Sequence, residues 1–258
     1  MTINISSDPR HPRYLSNFYR NILSEGVSKG ITSLQGLTAH GRGETFDYLI
    51  GEKTCSFARK SIEASACLFL LAKNPVISVN GNTAILAGKE LVNLSKLLNA
   101  PLEINLFHAS KSRERKINAH LQKLGGDNIL LPDKTKIKGV YSNRKMISLR
   151  GQKKADLVFI PLEDGDRTKA LIEMDKKVIT IDLNPLSRTA QDATITIVDN
   201  IVRTLPLLIV AIIQIRSLPQ KDLQSQLNSY DNKKNLAEVL RFIRKRLAKL
   251  AFKLSPVI

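Results

Sequence analysis

The spacing of apolar residues predicts that the chain begins with helices. In residues 12–30, aromatic and aliphatic side chains recur every four positions, which is the spacing of one helix face. Residues 37–54 are predicted to form loop, turn and a short helix. Residues 56–72 are predicted to form a buried helix, because their second half is almost wholly apolar.

The middle of the chain shows a different pattern, in which short runs rich in β-branched residues alternate with helical windows. The runs are 76–79, 102–107, 128–131, 157–160, 178–181 and 195–198, and the helical windows are 87–98, 111–124, 166–175 and 200–216. Near-continuous apolar strands between amphipathic helices are typical of a parallel sheet covered on both faces. The fold class is therefore predicted to be α/β, with a parallel sheet that carries helices on both faces.

The end of the chain is polar and then basic. Residues 217–235 have the composition of a linker, and residues 236–254 repeat apolar side chains at i, i+3, i+4 and i+7, which predicts an amphipathic helix. We therefore divide the chain into three parts. These are a helical N-terminal region packed on the core (1–70), the α/β core (71–216), and a linker with an extra basic amphipathic helix (217–258).

Composition narrows the class of protein. Among 258 residues, 40 Lys and Arg against 23 Asp and Glu give a formal charge of +17, which favours anionic ligands. Two cysteines exclude a four-cysteine zinc site and a disulfide framework, so no metal site is predicted. The apolar uncharged stretch 204–215 is shorter than the about 20 residues of a membrane helix, and residues 1–14 lack the apolar core of a signal peptide. We predict a cytoplasmic protein without a membrane partner.

Polar residues follow several predicted strands, and in an open α/β sheet ligands bind beyond those ends. Asp182 and Asn184 follow the fifth run, where a carboxylate and an amide suit a nucleoside. Arg188 and Thr189 come next, and a cation and a hydroxyl suit phosphate oxygens. The same residues could instead form a turn before Pro185 with an exposed arginine, since Asp and Asn are common turn residues.

Two other strand ends carry similar chemistry. Asp199 and Asn200 could face a ligand or cap the following helix. Asn80 and Asn82 flank Gly81, which would let a ligand approach the backbone, although Asn-Gly is also a common turn.

Three further features leave the function open at this point. Arg42 lies between two glycines and could close on a phosphate, whereas His40 could donate a proton or be simply exposed. The acidic cluster at 163–166 could hold Mg²⁺ or cap a helix. No Walker A pattern and no Gly-x-Gly-x-x-Gly after a strand is present, so a nucleotide would be held by other means, and a dinucleotide-dependent oxidoreductase is disfavoured.

Six longer segments are more specific together than any single residue. They are HPRY (11–14), LTAHGRGETFDYLIGEKT (37–54), PVISVNGNTA (75–84), EINLF (103–107), VFIPLEDGDRTKALI (158–172) and ITIDLNPLSRTAQDATITIVDNIVR (179–203). In this order they resemble the archaeal 4-phosphopantoate–β-alanine ligase family, also called phosphopantothenate synthetase, over about residues 8–216. The resemblance implies a cytoplasmic homodimer with a Rossmann-like nucleotide-binding core. Such an enzyme joins 4-phosphopantoate and β-alanine to give 4'-phosphopantothenate in coenzyme A biosynthesis.

The resemblance also implies a cosubstrate and its contacts. The enzyme would use ATP, with Mg²⁺ bound through the ATP phosphates, and release AMP and pyrophosphate through an acyl-adenylate. The implied ATP contacts are Arg20, Arg42, Asp182, Leu183, Asn184, Arg188, Thr189, Asp199 and Asn200. For the reacting centre we predict Arg42, His40, Asn80 and Asn82. Because the adenylate activates the carboxylate, no covalent enzyme nucleophile is needed.

Two departures from the family pattern leave questions open. His108-Ala109-Ser110 stands where the family has Tyr-Arg-Thr, so Lys111 or Arg113 would have to replace that arginine. The basic helix is expected to extend past the family's usual end. The alternative function is a basic nucleotide- or nucleic-acid-binding protein of the same fold without ligase activity. Nucleic acid is the less favoured partner, since a charged face opposite an apolar stripe usually belongs to a surface helix docked on its own protein.

Overall fold

The computed structural model describes residues 10–11 and 13–254; Pro12, expected at the first helical position, lies outside the described residues. The helices are α1 (Tyr14–Ser28), α2 (Leu34–Ile50), α3 (Ser56–Leu71), α4 (Gly81–Leu98), α5 (Lys111–Lys123), α6 (Gly165–Glu173), α7 (Arg188–Asp192), α8 (Ile201–Ile215), α9 (Gln220–Asn228) and α10 (Asn232–Leu254). The strands are β1 (Pro75–Val79), β2 (Leu102–Ile104), β3 (Ile129–Leu130), β4 (Thr135–Lys136), β5 (Met146–Ile147), β6 (Leu157–Phe159), β7 (Lys177–Ile181) and β8 (Ile195–Ile197).

Six of the strands form one parallel sheet in the order β3-β2-β1-β6-β7-β8. Ile77 in β1 pairs with Leu102 in β2 on one side and with Phe159 in β6 on the other. The chain winds outwards from β1 in one direction and then returns to start the other half at β6. This is the doubly wound order, and its reversal leaves a crevice above the carboxyl ends of β1 and β6. The predicted fold class is confirmed.

Alternating strand residues supply two separate cores, one on each face of the sheet. Leu157 and Phe159 point into a large core shared with α3, α4 and α8, whereas Val158 and Ile160 point into a smaller one. The antiparallel hairpin β4-β5, which the sequence did not predict, supplies Ile137 and Val140 to the smaller core. Because side chains alternate across a strand, a slip of one residue would exchange the two cores.

The prediction of mainly loop for residues 37–54 is wrong, because α2 is one continuous helix over most of that segment. Ser33 caps its start by accepting a hydrogen bond from the Gly36 amide at 3.2 Å, and Gly51 ends it with φ 85°. Glycines inside α2 lower its intrinsic helix propensity, but a Cβ at Gly36 would collide with the Asn82 side chain. The close packing of α2 on α4 therefore explains the glycine at position 36.

The prediction of a linker for residues 217–235 is also wrong. Helix α9 packs on α3, with Leu223 buried and the Cys67 Sγ lying 3.4 Å from Gln226 Oε1. Helix α10 then docks on α3 through its first half, where Leu236 and Val239 are buried. From residue 247 to residue 254 its side chains are exposed. The structure thus favours the interpretation of a helix docked on its own protein.

Left-handed glycines follow α1, α2 and α5, and a basic side chain from another helix lies at each of them. A Cβ added at Gly51 would lie 3.1 Å from the Cζ of Arg246, and one at Gly30 would lie 2.7 Å from the Nζ of Lys116. At Gly125 the nearest atom to such a Cβ is the Nζ of Lys96, at 3.4 Å. A cation at a helix C-terminus interacts favourably with the helix dipole. Part of the large positive charge therefore stabilises the fold itself.

None of the helices within residues 13–254 is long and apolar enough to cross a membrane.

Candidate functional site at the carboxyl edge of the sheet

A cavity of about 570 Å³ lies in the crevice above β1 and β6 and extends over β7 and β8, beneath α2. Eight of the predicted site residues line it, from the sheet edge and from α2. They are His40, Arg42, Asn80, Asn82, Asp182, Leu183, Asn184 and Asn200. Residues that are far apart in the sequence are thus brought to one place, as expected for the carboxyl edge of a doubly wound sheet.

The other four predicted residues do not line the cavity. Arg20 lies outside it, and its Nη2 is 2.5 Å from Glu44 Oε2, a carboxylate that does line the cavity. Arg188 is exposed at the start of α7, and the Thr189 hydroxyl donates to the Glu163 carbonyl at 3.0 Å. Asp199 is fully buried below the cavity. Their contacts with ATP stay predictions.

Asn80 joins the two halves of the sheet at the crevice. Its Oδ1 accepts from the Thr83 amide at 3.1 Å and its amide donates to the Thr83 hydroxyl, which forms a capping box at the start of α4. Its Nδ2 donates to the carbonyls of Pro161 and Leu162, at 3.3 and 3.1 Å, just after β6. Helix α4 therefore begins at Gly81, six residues before the predicted window. Asn80 was predicted for the reacting centre, and its side chain is already engaged in the floor of the cavity.

A largely buried ion cluster holds α2 over the sheet. Arg203 in α8 donates from Nη2 to Asp47 of α2 at 2.6 Å and from Nε to Asp199 at 2.9 Å. Asp199 also accepts from the Thr54 hydroxyl at 2.5 Å. Asn200 caps α8 and donates from Nδ2 to Asp47 at 3.0 Å. Asn200 therefore caps the following helix, which was one of its two predicted roles, and it also borders the cavity.

Two side chains of α2 reach the cavity with unused polar groups. The Arg42 side chain forms no ion pair or hydrogen bond with another described residue, and it is exposed at the cavity. The His40 imidazole likewise makes no hydrogen bond within the described part of the chain. Burial lowers the pKa of His40, and the nearby Glu44 opposes this only in part. A neutral imidazole and a free guanidinium are thus available to a ligand.

The segment after β7 forms the turn that the sequence left as an alternative. Asp182 Oδ1 accepts from the Asn184 amide at 2.9 Å, and the Asn184 side chain accepts from the Leu186 amide at 2.9 Å. Burial raises the pKa of Asp182, while hydrogen bonds from Ser187 and Asn184 and the charge of Arg42 lower it. The turn and the cavity lining are compatible, since both Asp182 and Asn184 also border the cavity.

Two further arginines belong to the site: Arg113, which the sequence offered as an alternative to Lys111, and Arg144, which the sequence did not single out. Arg113 and Arg144 both line the cavity, from α5 and from the 3₁₀ turn Asn143–Lys145. Arg113 donates to the carbonyls of His108 and Ile31, at 2.6 and 2.9 Å, and its buried Nε has no hydrogen-bond partner among the described residues. Burial lowers the pKa of Arg113, and the charge of Arg144 lowers it further. Two close cations with an unused donor form a corner suited to an anion.

The other candidate for this corner is placed differently. Lys111 is exposed and pairs with Glu114 at 3.0 Å, and it does not line the cavity. Of the two residues expected to replace the family's arginine, Arg113 is the one at the site. Arg144 left no signal in the sequence, because it lies in a segment without strand or helix periodicity.

Two members of the acidic cluster at 163–166, Glu163 and Asp164, pair with arginine side chains. Glu163 Oε2 accepts from Arg144 Nη1 at 2.5 Å and from Arg167 Nη1. Asp164 Oδ2 lies 2.9 Å from Arg144 Nε and does not cap α6 with its side chain. No group of three or more His, Cys, Asp or Glu residues that could hold a metal ion occurs among the residues the structure describes.

The fold and the site define a doubly wound α/β protein with an arginine-lined ligand cavity at its switch point. Residues 57–246 match the family described as phosphopantothenate/pantothenate synthetase. The 4-phosphopantoate–β-alanine ligase of Thermococcus kodakarensis is 50% identical over 243 residues, which cover 93% of each chain. The enzymes of that name from Thermococcus onnurineus and Methanosarcina mazei are 50% and 44% identical over 244 and 241 residues, and each covers 93% of this chain. The chain belongs to the phosphopantothenate/pantothenate synthetase family.

The match corrects one expectation about the C-terminus. It reaches residue 246, so the first half of α10 is part of the family and does not lie beyond its usual end. The physical reason is the packing described above, because this half of α10 covers α3 and contributes to the large core.

Asn80→Ala should lower the free energy of unfolding by about 2–4 kcal/mol, because it removes a helix cap and leaves two carbonyls after β6 without a donor. Ser110→Ala is the matched control, since Ser110 caps α5 by accepting from the Arg113 amide at 3.2 Å but joins no strands. It should cost about 1 kcal/mol. Urea denaturation measures both, and equal losses would mean that the bridge between β1 and β6 contributes nothing.

Proposed function

We propose that this protein is an ATP-dependent ligase that joins 4-phosphopantoate and β-alanine to give 4'-phosphopantothenate, AMP and pyrophosphate. The observation that carries the proposal is the 50% identity to a 4-phosphopantoate–β-alanine ligase over 93% of both chains. The cavity at the switch point supports it, because it is large enough for a small anionic substrate beside a nucleotide and is lined by three arginines.

The two cationic sides of the cavity suit the two anions of such a reaction. Arg42 on α2, with Asp182 and Asn184 below it, would bind the triphosphate and the nucleoside. Arg113 and Arg144 on the opposite elements would bind the phosphate of 4-phosphopantoate, since an anion between them relieves their mutual repulsion. The substrate carboxylate would then lie between the two phosphate sites, near the α-phosphorus.

The proposed chemistry has two steps. The pantoate carboxylate attacks the α-phosphorus of ATP, and the bond to the β-phosphate breaks to release pyrophosphate. The β-alanine amine then attacks the acyl carbon, the acyl–AMP bond breaks, and the amine loses a proton. The protein would act by holding the reactants together and by neutralising charge with arginines, which requires no enzyme nucleophile.

Magnesium, the homodimer and the remaining ATP contacts belong to the same proposal. Since the described residues contain no cluster of metal-ligating side chains, Mg²⁺ would enter with ATP, held by its phosphates. Arg20, Arg188, Thr189 and Asp199 would act on ATP from around the cavity. The homodimer and the cytoplasmic location are kept as the resemblance implies them.

The purified protein should convert ATP, 4-phosphopantoate and β-alanine into AMP and phosphopantothenate in equal amounts. An endpoint assay that follows the nucleotide and the amide product together tests this. Formation of ADP with the product would replace the acyl-adenylate by an acyl phosphate. Absence of nucleotide turnover by folded protein would favour the alternative of a binding protein without ligase activity.

Arg42→Ala should lower kcat/KM by roughly 10²–10³-fold, because one cation that stabilises charge at phosphorus is lost. The folded state should be unaffected, since Arg42 is exposed and forms no ion pair among the described residues. Arg241→Ala, an exposed arginine on α10, serves as the control and should keep full activity. Full turnover by folded Arg42→Ala protein would contradict the assignment.

His40 is proposed to accept the amine proton in the second step, because its lowered pKa keeps it neutral near pH 7. In the wild type, kcat/KM for β-alanine should fall as the pH drops below His40's pKa, which lies under the usual 6.5. His40→Gln should slow amide formation roughly 10²-fold or more and lose that acid limb. ATP–pyrophosphate exchange with 4-phosphopantoate alone should continue, and equal loss of both reactions would contradict the role.

A further inference from the structure

A series of buried polar contacts begins on β2, away from the cavity. Glu103 is fully buried, and its carboxylate accepts from the Ser148 amide at 3.0 Å and from the Gln152 amide and side chain at 2.7 and 2.8 Å. Burial raises the pKa of Glu103 to about 7, against the effect of these donors. A Cβ at Gly151 would collide with the same carboxylate. The π-helical turn Leu149–Lys153 is therefore tied tightly to β2.

Gln152 connects this series of contacts to α6. Its Oε1 accepts from Nη2 of Arg167, which is fully buried and also donates to the Ser78 hydroxyl at 3.0 Å. Arg167 Nη1 donates to Glu163, whose side chain is only 1% exposed. Arg167 thus connects the interior of the sheet to the carboxylate at the end of β6.

The series of contacts ends at Arg144, beside the cavity. Glu163 Oε2 accepts from Arg144 Nη1 at 2.5 Å, and Asp164 lies 2.9 Å from Arg144 Nε. The Arg144 side chain is only 9% exposed, although it comes from a short 3₁₀ turn. Glu163 holds one side of its guanidinium by a hydrogen bond, and Asp164 forms an ion pair with the other side.

Stabilisation of the fold does not account for the burial of these charges. Buried ion pairs seldom stabilise a fold more than apolar residues of similar volume would, because both ions lose their hydration. These buried charges can instead hold a ligand-binding side chain in one orientation. A preorganised site needs such support behind the residues that touch the ligand. Within this series of contacts, Glu163 and Arg144 border the cavity, and Arg144 is the cation there, beside Arg113 and His108.

We propose that Glu163, held from behind by Arg167, is a positioning residue that presents the Arg144 guanidinium to the phosphate of the substrate. This inference rests on the proposed function, in which that phosphate belongs to 4-phosphopantoate. Glu163 acts through Arg144 and has no contact of its own with the phosphate.

The test is a double-mutant cycle in the ligase assay. Arg144→Ala and Glu163→Gln should each raise KM for 4-phosphopantoate by about 10- to 100-fold, the range for losing a charge-assisted hydrogen bond, and leave KM for ATP nearly unchanged. Combined with Arg144→Ala, Glu163→Gln should add no further increase, because its effect passes through that arginine. Glu173→Gln, which changes an exposed carboxylate at the end of α6, the helix that follows Glu163, is the control and should change neither constant.

Glu163→Asp keeps the charge and withdraws the carboxylate by one methylene, so it tests the position if Glu163→Gln does not fold. It should raise KM for 4-phosphopantoate and leave KM for ATP nearly unchanged. Unchanged KM for 4-phosphopantoate in the folded variant, or an additional loss in the Arg144→Ala background, would overturn the positioning role. Absence of turnover by the wild type in the same assay would instead overturn the proposed function.

Discussion

The reversal of winding at the centre of the sheet is the constraint on which the site depends. Connections leave β1 and β6 towards opposite edges, so α4 and α6 diverge and leave a crevice above the carboxyl ends of the two strands, which α2 covers. Asn80 holds that opening in shape, because one amide side chain caps α4 and binds the carbonyls after β6. The floor of the cavity, the start of α4 and the entry to α6 are therefore fixed by the same few hydrogen bonds.

Cationic side chains occupy two kinds of position in the part of the chain that the structure describes. Some cations lie at helix C-termini, as Arg246 does at the end of α2, where they complement the helix dipole. Others converge on the cavity, where Arg113 and Arg144 lie close enough for one to lower the pKa of the other. The first group belongs to the fold and the second to an anion. These two uses account for part of the formal charge of +17.

Strands and most helices could be predicted from the sequence because burial leaves a periodic pattern, as at β7, where Lys177–Ile181 matches an apolar run. Helix α2 could not, since Gly36, Gly41 and Gly43 lower the local helix propensity that prediction uses, and only Gly36 of the three packs against Asn82. The strand-end residues Asp182 and Asn184 could be found from topology alone. Arg144 could not, because only the folded chain brings it beside Glu163.

Two largely buried charge clusters flank the cavity and hold the elements that carry its binding residues in fixed positions. The Asp47–Arg203–Asp199 cluster fixes α2, which carries Arg42, and the Glu163–Arg167 pair fixes the opposite side. Asp199, although implied as an ATP contact, already accepts hydrogen bonds at both carboxylate oxygens. Its influence on a nucleotide would therefore pass through the start of α8 and through α2. A reaction that depends on the alignment of two anions needs this kind of rigid support on both sides of the cavity.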